Sequence, residues 1–174
     1  MKNLFLILVL FLFIDIHAQE ISQVPSQIAD FYSYEGIWDG IAKISMNGHT
    51  EEGTFTHDWS KISGGWGMLI GEVIDIPLWG TTYIGHNVLG YDLGEKKYHM
   101  FTVDNYANVH DHDGIIEKPG TIYFEYNGLT SDGKSYKEEV FFYMTGNDEY
   151  VIDVETKING ITEMQLELKA SKRK

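Results

Sequence analysis

The chain has 174 residues, of which 43% are hydrophobic and 14% aromatic, so it is long and apolar enough for one domain with a sizeable core. Its 26 acidic and 13 basic residues give a formal net charge of −13, which argues against nucleic acid or an anionic lipid surface as a partner. The absence of cysteine excludes disulfides, thiol nucleophiles and thiolate metal sites.

The start of the chain has the pattern of a secretory signal peptide. A short apolar run over residues 4–14 follows a basic start and ends near the small residue Ala18. A membrane-spanning helix needs about 20 apolar residues, whereas Asp15 and His17 interrupt this run. We therefore expect a bacterial signal peptide over residues 1–19 that is removed. The mature protein is then periplasmic or secreted and keeps no stable membrane anchor.

Residues 20–35 predict a short helical segment in front of a sheet. Several residues of this segment stand at a loosely helical spacing: Pro25, Ile28, Ala29 and Phe31. We expect the segment to form a lid or plug at one end of the domain that follows.

From Gly36 onwards, apolar residues alternate with polar ones, which is the period of a β-strand. Ten such stretches are separated by turn sequences such as Asn47-Gly48 and Asp132-Gly133. Strands joined by tight turns avoid exposed edges by curling into a barrel, whose interior is a natural pocket. The sequence therefore predicts an all-β domain over residues 36–170, a closed antiparallel up-and-down barrel of about ten strands.

The turns also predict which residues face each other. Folding the chain at Asn47-Gly48 places His57 opposite Trp38 on one face. After this hairpin, the predicted strands run over 66–74, 80–92, 98–104, 109–117, 121–127, 136–145, 150–157 and 162–169. A plain two-residue turn at Asn159-Gly160 would put the apolar residues of the last two strands on opposite faces. We therefore expect one extra residue, a bulge, in that loop, with Gly160 at positive φ.

The segment Gly36-Ile37-Trp38 resembles the Gly-x-Trp that opens lipocalin-like barrels, in which the tryptophan plugs one end. Further segments are similar to an uncharacterised bacterial family of such barrels, domain of unknown function 1579: Gly64-Gly65-Trp66, Leu89-Gly90-Tyr91-Asp92, Lys96, Lys97, Tyr98 and Asp104-Asn105. The chain departs from that family at Thr102, where a tryptophan is usual. The resemblance implies a small lipocalin-like, or calycin, barrel and brings no established activity.

Four of the seven histidines lie close together in the sequence: His86, His99, His110 and His112. Pairing the fifth and sixth predicted strands sets His99 near His112, so that all four share one face. Imidazoles that converge inside a barrel could bind a divalent metal such as zinc. The expected ligands are His99, His110 and His112. A solvated strand end at residues 110–114 is the alternative interpretation.

Three hypotheses for function follow from this pattern. In the first, the barrel binds a small, partly apolar ligand through Trp38, His57, His86, Tyr91, His99, Phe101, His110 and His112. In the second, the chain is a metal-dependent enzyme that uses His86, His99, His110 and His112 to activate water or polarise a substrate oxygen. In the third, it is an interaction module with a filled core. The sequence identifies neither catalytic residues nor the ligand, cofactor or oligomeric state.

Overall fold

Ten antiparallel strands close into one barrel in the computed structural model, which describes residues 23–146 and 148–174. Each strand pairs with the next, and the last pairs with the first. The strands are β1 (Gly36–Met46), β2 (His49–Ile62), β3 (Gly67–Asp75), β4 (Tyr83–Asp92), β5 (Lys97–Asp104), β6 (Val109–Lys118), β7 (Thr121–Leu129), β8 (Ser135–Met144), β9 (Glu149–Ile158) and β10 (Ile161–Lys172). The predicted closed up-and-down barrel is confirmed. The predicted signal peptide, residues 1–19, lies outside the described residues.

The pairing of β1 with β10 closes the barrel. Trp38 lies opposite Lys172, and the ladder runs along the length of β1. The Arg173 guanidinium extends this seam by donating two hydrogen bonds, each of 2.6 Å, to the Asp39 carboxylate. A closed sheet has no free edge strands, which are the usual sites of pairing between molecules.

A helical segment covers one end of the barrel. The helix α1 (Ser26–Ala29) continues directly into a 3-10 helix (Asp30–Tyr34), so the predicted short helix is confirmed. The segment buries three apolar side chains: Ile28, Phe31 and Tyr34. The Trp38 indole Nε1 donates a 2.6 Å hydrogen bond to the Tyr34 carbonyl oxygen. We refer to residues 26–34 together with Trp38 as the plug. No helix within the described residues is long and apolar enough to cross a membrane.

The last hairpin contains the predicted irregularity at a different position. Asn159 and Gly160 form a two-residue turn with φ angles of 50° and 78°. Two consecutive left-handed residues match the twist of a hairpin, so the loop needs no extra residue. The bulge lies instead within β10, between Thr162 and Met164. It keeps the apolar residues of β9 and β10 on one face, as predicted.

The pairing of β5 with β6 differs by one residue from the predicted register. His112 lies opposite Met100 rather than His99. The Asp104 carboxylate holds the connecting loop, since it accepts backbone N–H hydrogen bonds at 2.9 and 3.0 Å. A one-residue shift reverses the faces of a strand. His99 therefore points outwards, whereas His110 and His112 point into the barrel.

Candidate functional site

The barrel encloses a cavity of about 430 Å³ between the plug and the opposite end. Phe31 of the plug lines the cavity at one end, and Trp79 and Tyr106, from loops between strands, line it at the other. Most of the remaining wall is apolar: Ile70, Leu89, Phe124, Val140, Ile152, Val154, Leu166 and Leu168. The volume lies within the range of about 300–1,000 Å³ that is usual for small-molecule sites.

Four polar side chains on neighbouring strands interrupt this apolar wall: His57, Glu72, Asn87 and Thr102. His57 Nε2 lies 2.7 Å from Glu72 Oε1, and Asn87 Nδ2 donates a 3.5 Å hydrogen bond to Glu72 Oε2. The Thr102 hydroxyl donates to Asn87 Oδ1 at 2.6 Å. These contacts form one continuous hydrogen-bonded chain across β2, β3, β4 and β5, which we call the His57 network.

The His57 network continues behind the cavity wall. Trp59 Nε1 donates to the Tyr150 hydroxyl at 3.3 Å, and that hydroxyl lies 2.6 Å from His57 Nδ1. An indole N–H only donates and a carboxylate only accepts, so all groups are satisfied when Tyr150 donates to Nδ1 and the His57 Nε2–H donates to Glu72. Burial raises the pKa of Tyr150, which keeps its phenol protonated. The network therefore presents the His57 imidazole and the Glu72 carboxyl group to the cavity.

Two histidines of β6 and a glutamate of β8 form a second polar group, which we call the Glu138 cluster. His112 Nε2 lies 3.1 Å from Glu138 Oε1, and His110 Nδ1 lies 3.6 Å from Glu138 Oε2. The Tyr136 hydroxyl donates to Glu138 Oε2 at 2.6 Å. The His112 side chain is fully buried. The side chains of His110 and Glu138 are 11% and 19% exposed, and both line the cavity.

Glu138 is ionised within this cluster. Burial by itself raises the pKa of its carboxyl group, but the contacts with His110 and His112 and the hydrogen bond from Tyr136 outweigh burial. Together they hold the Glu138 pKa well below its usual range. Burial raises the pKa of Tyr136, so its phenol remains a donor. The Glu138 oxygens are therefore available as acceptors or metal ligands at neutral pH.

The cavity is acidic as well as apolar. Four carboxylate side chains line it: Glu72, Asp104, Glu138 and Glu163. Neither lysine nor arginine occurs among the described residues that line it. At the end opposite the plug, Trp79, Tyr83 and Tyr106 pack together with ring centres 5.8, 6.0 and 6.4 Å apart. This end therefore combines aromatic rings with the acidic wall.

The structure places five of the eight predicted contact residues inside the barrel. His57 and His110 line the cavity, and His112 lies beside His110 in the Glu138 cluster. Trp38 belongs to the plug and is fully buried. Tyr91 packs edge-to-face against a neighbouring tyrosine, with ring centres 5.1 Å apart, and is not part of the cavity lining.

The other three predicted residues, His86, His99 and Phe101, lie on the outer face. His86 is exposed, and Phe101 keeps 44% of its exposure. His99 Nδ1 lies 3.4 Å from an Asp111 oxygen and 3.6 Å from an Asp113 oxygen on the outer surface. Their predicted inward orientation is wrong, because the alternate residues of β4 and β5 form the inner face. The four-histidine site of the enzyme hypothesis is therefore not assembled.

Glu72 and Glu138 are prominent in the cavity and were not predicted as site residues. Both occupy inward positions of strands whose other inward residues are apolar, such as Ile70 in β3 and Val140 in β8. A charged residue in phase with the core alternation is the signal that could have identified them. Glu138 takes the place of His99 beside the other two predicted metal ligands.

No protein-family model and no curated protein matches the sequence. Solved structures match the fold. The S-type phycobiliprotein lyase CPES from Guillardia theta superposes with a TM-score of 0.59 at 12% identity, over 84% of this chain and 91% of that one. Rv2717c from M. tuberculosis superposes with a TM-score of 0.60 at 10% identity. The match covers 87% of this chain and 100% of Rv2717c. The chain thus has the lipocalin-like calycin fold, while its resemblance to domain of unknown function 1579 stays a prediction.

Proposed function

We propose that this protein binds a small, partly apolar molecule in the cavity of its barrel. The supporting observation is an enclosed volume of about 430 Å³ whose apolar wall carries the His57 network and the Glu138 cluster. In small-molecule sites, apolar walls supply most of the contact area and a few polar groups fix the orientation of the ligand. A filled core, as in the third hypothesis, does not account for this volume.

The charge of the wall favours one class of polar group on the ligand. Four carboxylates line the cavity, and no basic side chain does so among the described lining residues. Two like charges about 4 Å apart repel each other by about 4 kcal/mol at an effective dielectric constant of about 20. The rings of Trp79, Tyr83 and Tyr106 also suit a cation. The proposed ligand therefore has a neutral or cationic polar group rather than a carboxylate or phosphate.

A polar atom of the wall supports the same proposal. The Thr156 hydroxyl is buried and lines the cavity; it interacts with the Tyr136 hydroxyl but forms no hydrogen bond of normal length and angle within residues 23–146 and 148–174. A buried polar atom without a partner costs about 1–3 kcal/mol. A ligand with a polar atom beside Thr156 would supply the missing hydrogen bond.

The structural neighbours support the barrel architecture of this proposal and no particular ligand. One of them is named a phycobiliprotein lyase. At 12% identity that activity does not transfer to this chain. The ligand class proposed here rests on the cavity itself.

A matched set of amphiphiles tests both the cavity and its charge preference. Decanol, decylammonium and decanoate share an alkyl chain and differ in head-group charge. We expect decanol and decylammonium to bind saturably, and decanoate at least about tenfold more weakly because of the acidic wall. Trp59 and Trp79 line the cavity, so intrinsic tryptophan fluorescence reports the titrations. Equal affinity for decanoate and decylammonium would refute the charge preference.

A pair of valine variants provides the control for this titration. Val154→Phe adds volume inside the cavity, whereas Val73→Phe adds the same volume on the outer face, where Val73 is 44% exposed. We expect only the first to weaken binding of decanol. Thermal unfolding of both variants shows whether overpacking has disturbed the fold. If no probe binds, or if both variants weaken binding equally, the cavity is not the binding site.

We also propose that the protein acts outside the cytoplasm, in the periplasm or the medium. The proposal rests on the signal-peptide pattern of residues 1–19. When the full chain is expressed in a bacterial host, mass spectrometry of the extracytoplasmic fraction is expected to find a product without these residues. A full-length product confined to the cytoplasm would contradict export.

A further inference from the structure

We propose that His110, His112 and Glu138 bind a divalent transition-metal ion, of the kind represented by Zn²⁺, on the wall of the cavity. Each residue offers one ligand atom, and the three atoms lie within 4.8 Å of one another. Two imidazoles and a carboxylate are an established ligand set for zinc. The proposal does not depend on the organic ligand, because the ion is held by protein atoms alone.

The distances between the ligand atoms suit a tetrahedral ion. Metal–ligand bonds of about 2.0–2.2 Å at tetrahedral angles place adjacent ligand atoms roughly 3.3–3.6 Å apart. His112 Nε2 and Glu138 Oε1 are 3.1 Å apart, and His110 Nδ1 and Glu138 Oε2 are 3.6 Å apart. These two contacts are made by different oxygens of the Glu138 carboxylate, and one atom from each residue lies within 4.8 Å of the others. Side-chain adjustments would therefore bring one carboxylate oxygen and the two imidazole nitrogens to the tetrahedral spacing.

The surroundings of His112 also suit a metal ion between these groups. Its Nδ1 lies 3.1 Å from the Met100 carbonyl oxygen and its Nε2 lies 3.1 Å from a Glu138 oxygen, and both oxygens only accept hydrogen bonds. When Nδ1–H donates to the carbonyl, the Nε2 lone pair faces the carboxylate. A metal ion removes this repulsion, and a carbonyl on the second nitrogen is the usual way in which proteins orient a metal-binding histidine. A second proton on the fully buried His112 is the competing arrangement.

The surroundings hold the other two ligands in place. The His110 ring stacks on Tyr126 with ring centres 4.0 Å apart and planes 14° from parallel. The Tyr136 hydroxyl donates to Glu138 Oε2, which orients the carboxylate. Three protein ligands leave one position of a tetrahedral ion free. His110 and Glu138 line the cavity, so this free position is directed towards the cavity.

Zinc titration of the chelator-treated full chain tests the site. Calorimetry is expected to show one Zn²⁺ per chain, and Co²⁺ is expected to give the visible absorption of a four-coordinate ion. Glu138→Gln keeps the shape of the side chain and removes its charge, and His112→Ala removes a ligand. Each should weaken binding by about 100-fold or more, since loss of mere outer-shell partners already costs 10–100-fold.

His99→Ala is the matched control, because His99 has carboxylate neighbours but lies on the outer face. It should leave the affinity unchanged. A measurement on the unaltered chain avoids dependence on variants that fold poorly: the ¹⁵N resonance of His112 Nε2 should shift on addition of Zn²⁺. Absence of stoichiometric binding, an unshifted Nε2 resonance, or equal binding by Glu138→Gln would overturn the proposal. The Glu138 cluster would then be a buried ion pair, while the amphiphile titrations would be unaffected.

Discussion

Replacing Trp38 by alanine is expected to lower the free energy of unfolding by about 3–5 kcal/mol, which is the usual cost of deleting a fully buried large aromatic side chain. Trp38 is 0% exposed, and its ring centre lies 5.5 Å from that of Tyr34 and 4.9 Å from that of Tyr150. The substitution also leaves the Tyr34 carbonyl without its indole donor. Urea-induced unfolding, followed by far-UV circular dichroism, measures the change.

Two further substitutions separate the contributions of Trp38. Trp38→Phe keeps an aromatic ring and removes the hydrogen bond to Tyr34, so we expect an intermediate loss of about 1–3 kcal/mol. Ile41→Ala, on the same strand, removes a side chain that is 51% exposed and should change stability by less than about 1 kcal/mol. If Trp38→Ala costs no more than Ile41→Ala, the plug does not stabilise the barrel.

Replacing Glu138 by leucine is expected to destabilise the chelator-treated protein by about 3–5 kcal/mol, as is usual when one partner of a buried polar cluster is removed. The substitution takes the acceptor away from the Tyr136 hydroxyl and from His112, and it removes the carboxylate beside His110. Leucine cannot accept their hydrogen bonds, although it fits a similar volume. Urea-induced unfolding in the presence of a chelator isolates this effect from metal binding.

A double-mutant cycle identifies the source of this loss. Replacing both partners in Glu138→Leu/His112→Leu should recover part of the stability, because the fully buried His112 imidazole is then no longer left without its partner, while His110 and Tyr136 lose Glu138 in both variants. Glu167→Leu is the surface control, since Glu167 pairs with Lys169 on the outer face and is 39% exposed. It should cost less than about 1 kcal/mol. Equal losses for Glu138→Leu and Glu167→Leu would show that the cluster contributes no more than a surface ion pair.

Local turn chemistry made the first hairpin predictable from the sequence. Asn47 and Gly48 adopt φ angles of 54° and 77°, as the Asn-Gly signal indicates, and Trp38 lies opposite His57 as expected. The alternation of apolar residues then predicted the strands and the closed barrel. These features depend on residues close together in the chain, so one sequence suffices to identify them.

The β5–β6 connection shows where this approach fails. The loop turns at Ala107, whose φ of 65° is left-handed although the residue is not glycine or asparagine. Hydrogen bonds to the Asp104 carboxylate stabilise the loop, and the sequence carries no distinct signal for them. The resulting one-residue error moved His99 to the wrong side of the sheet.

The sequence predicted several individual residues of the candidate site but not which side chains contact each other there. The sequence analysis identified His57, His110 and His112 because a histidine stands out in a strand pattern of alternating apolar and polar residues. Their partners Glu72 and Glu138 lie 15 and 26 residues away along the chain, respectively, from His57 and His112. Such partnerships depend on the register of several strands at once, and an error in any one of them separates the partners.

Because β10 completes the sheet against β1, the first and last parts of the domain must meet for folding to finish. Arg173 reaches Asp39 across 134 residues of chain. Long loops make such contacts late events in folding, since their closure is entropically costly. Before that step, both terminal strands are open templates on which a second molecule can add. The C-terminal strand therefore completes the barrel, and truncating it would convert a sheet without free edges into an aggregation-prone one.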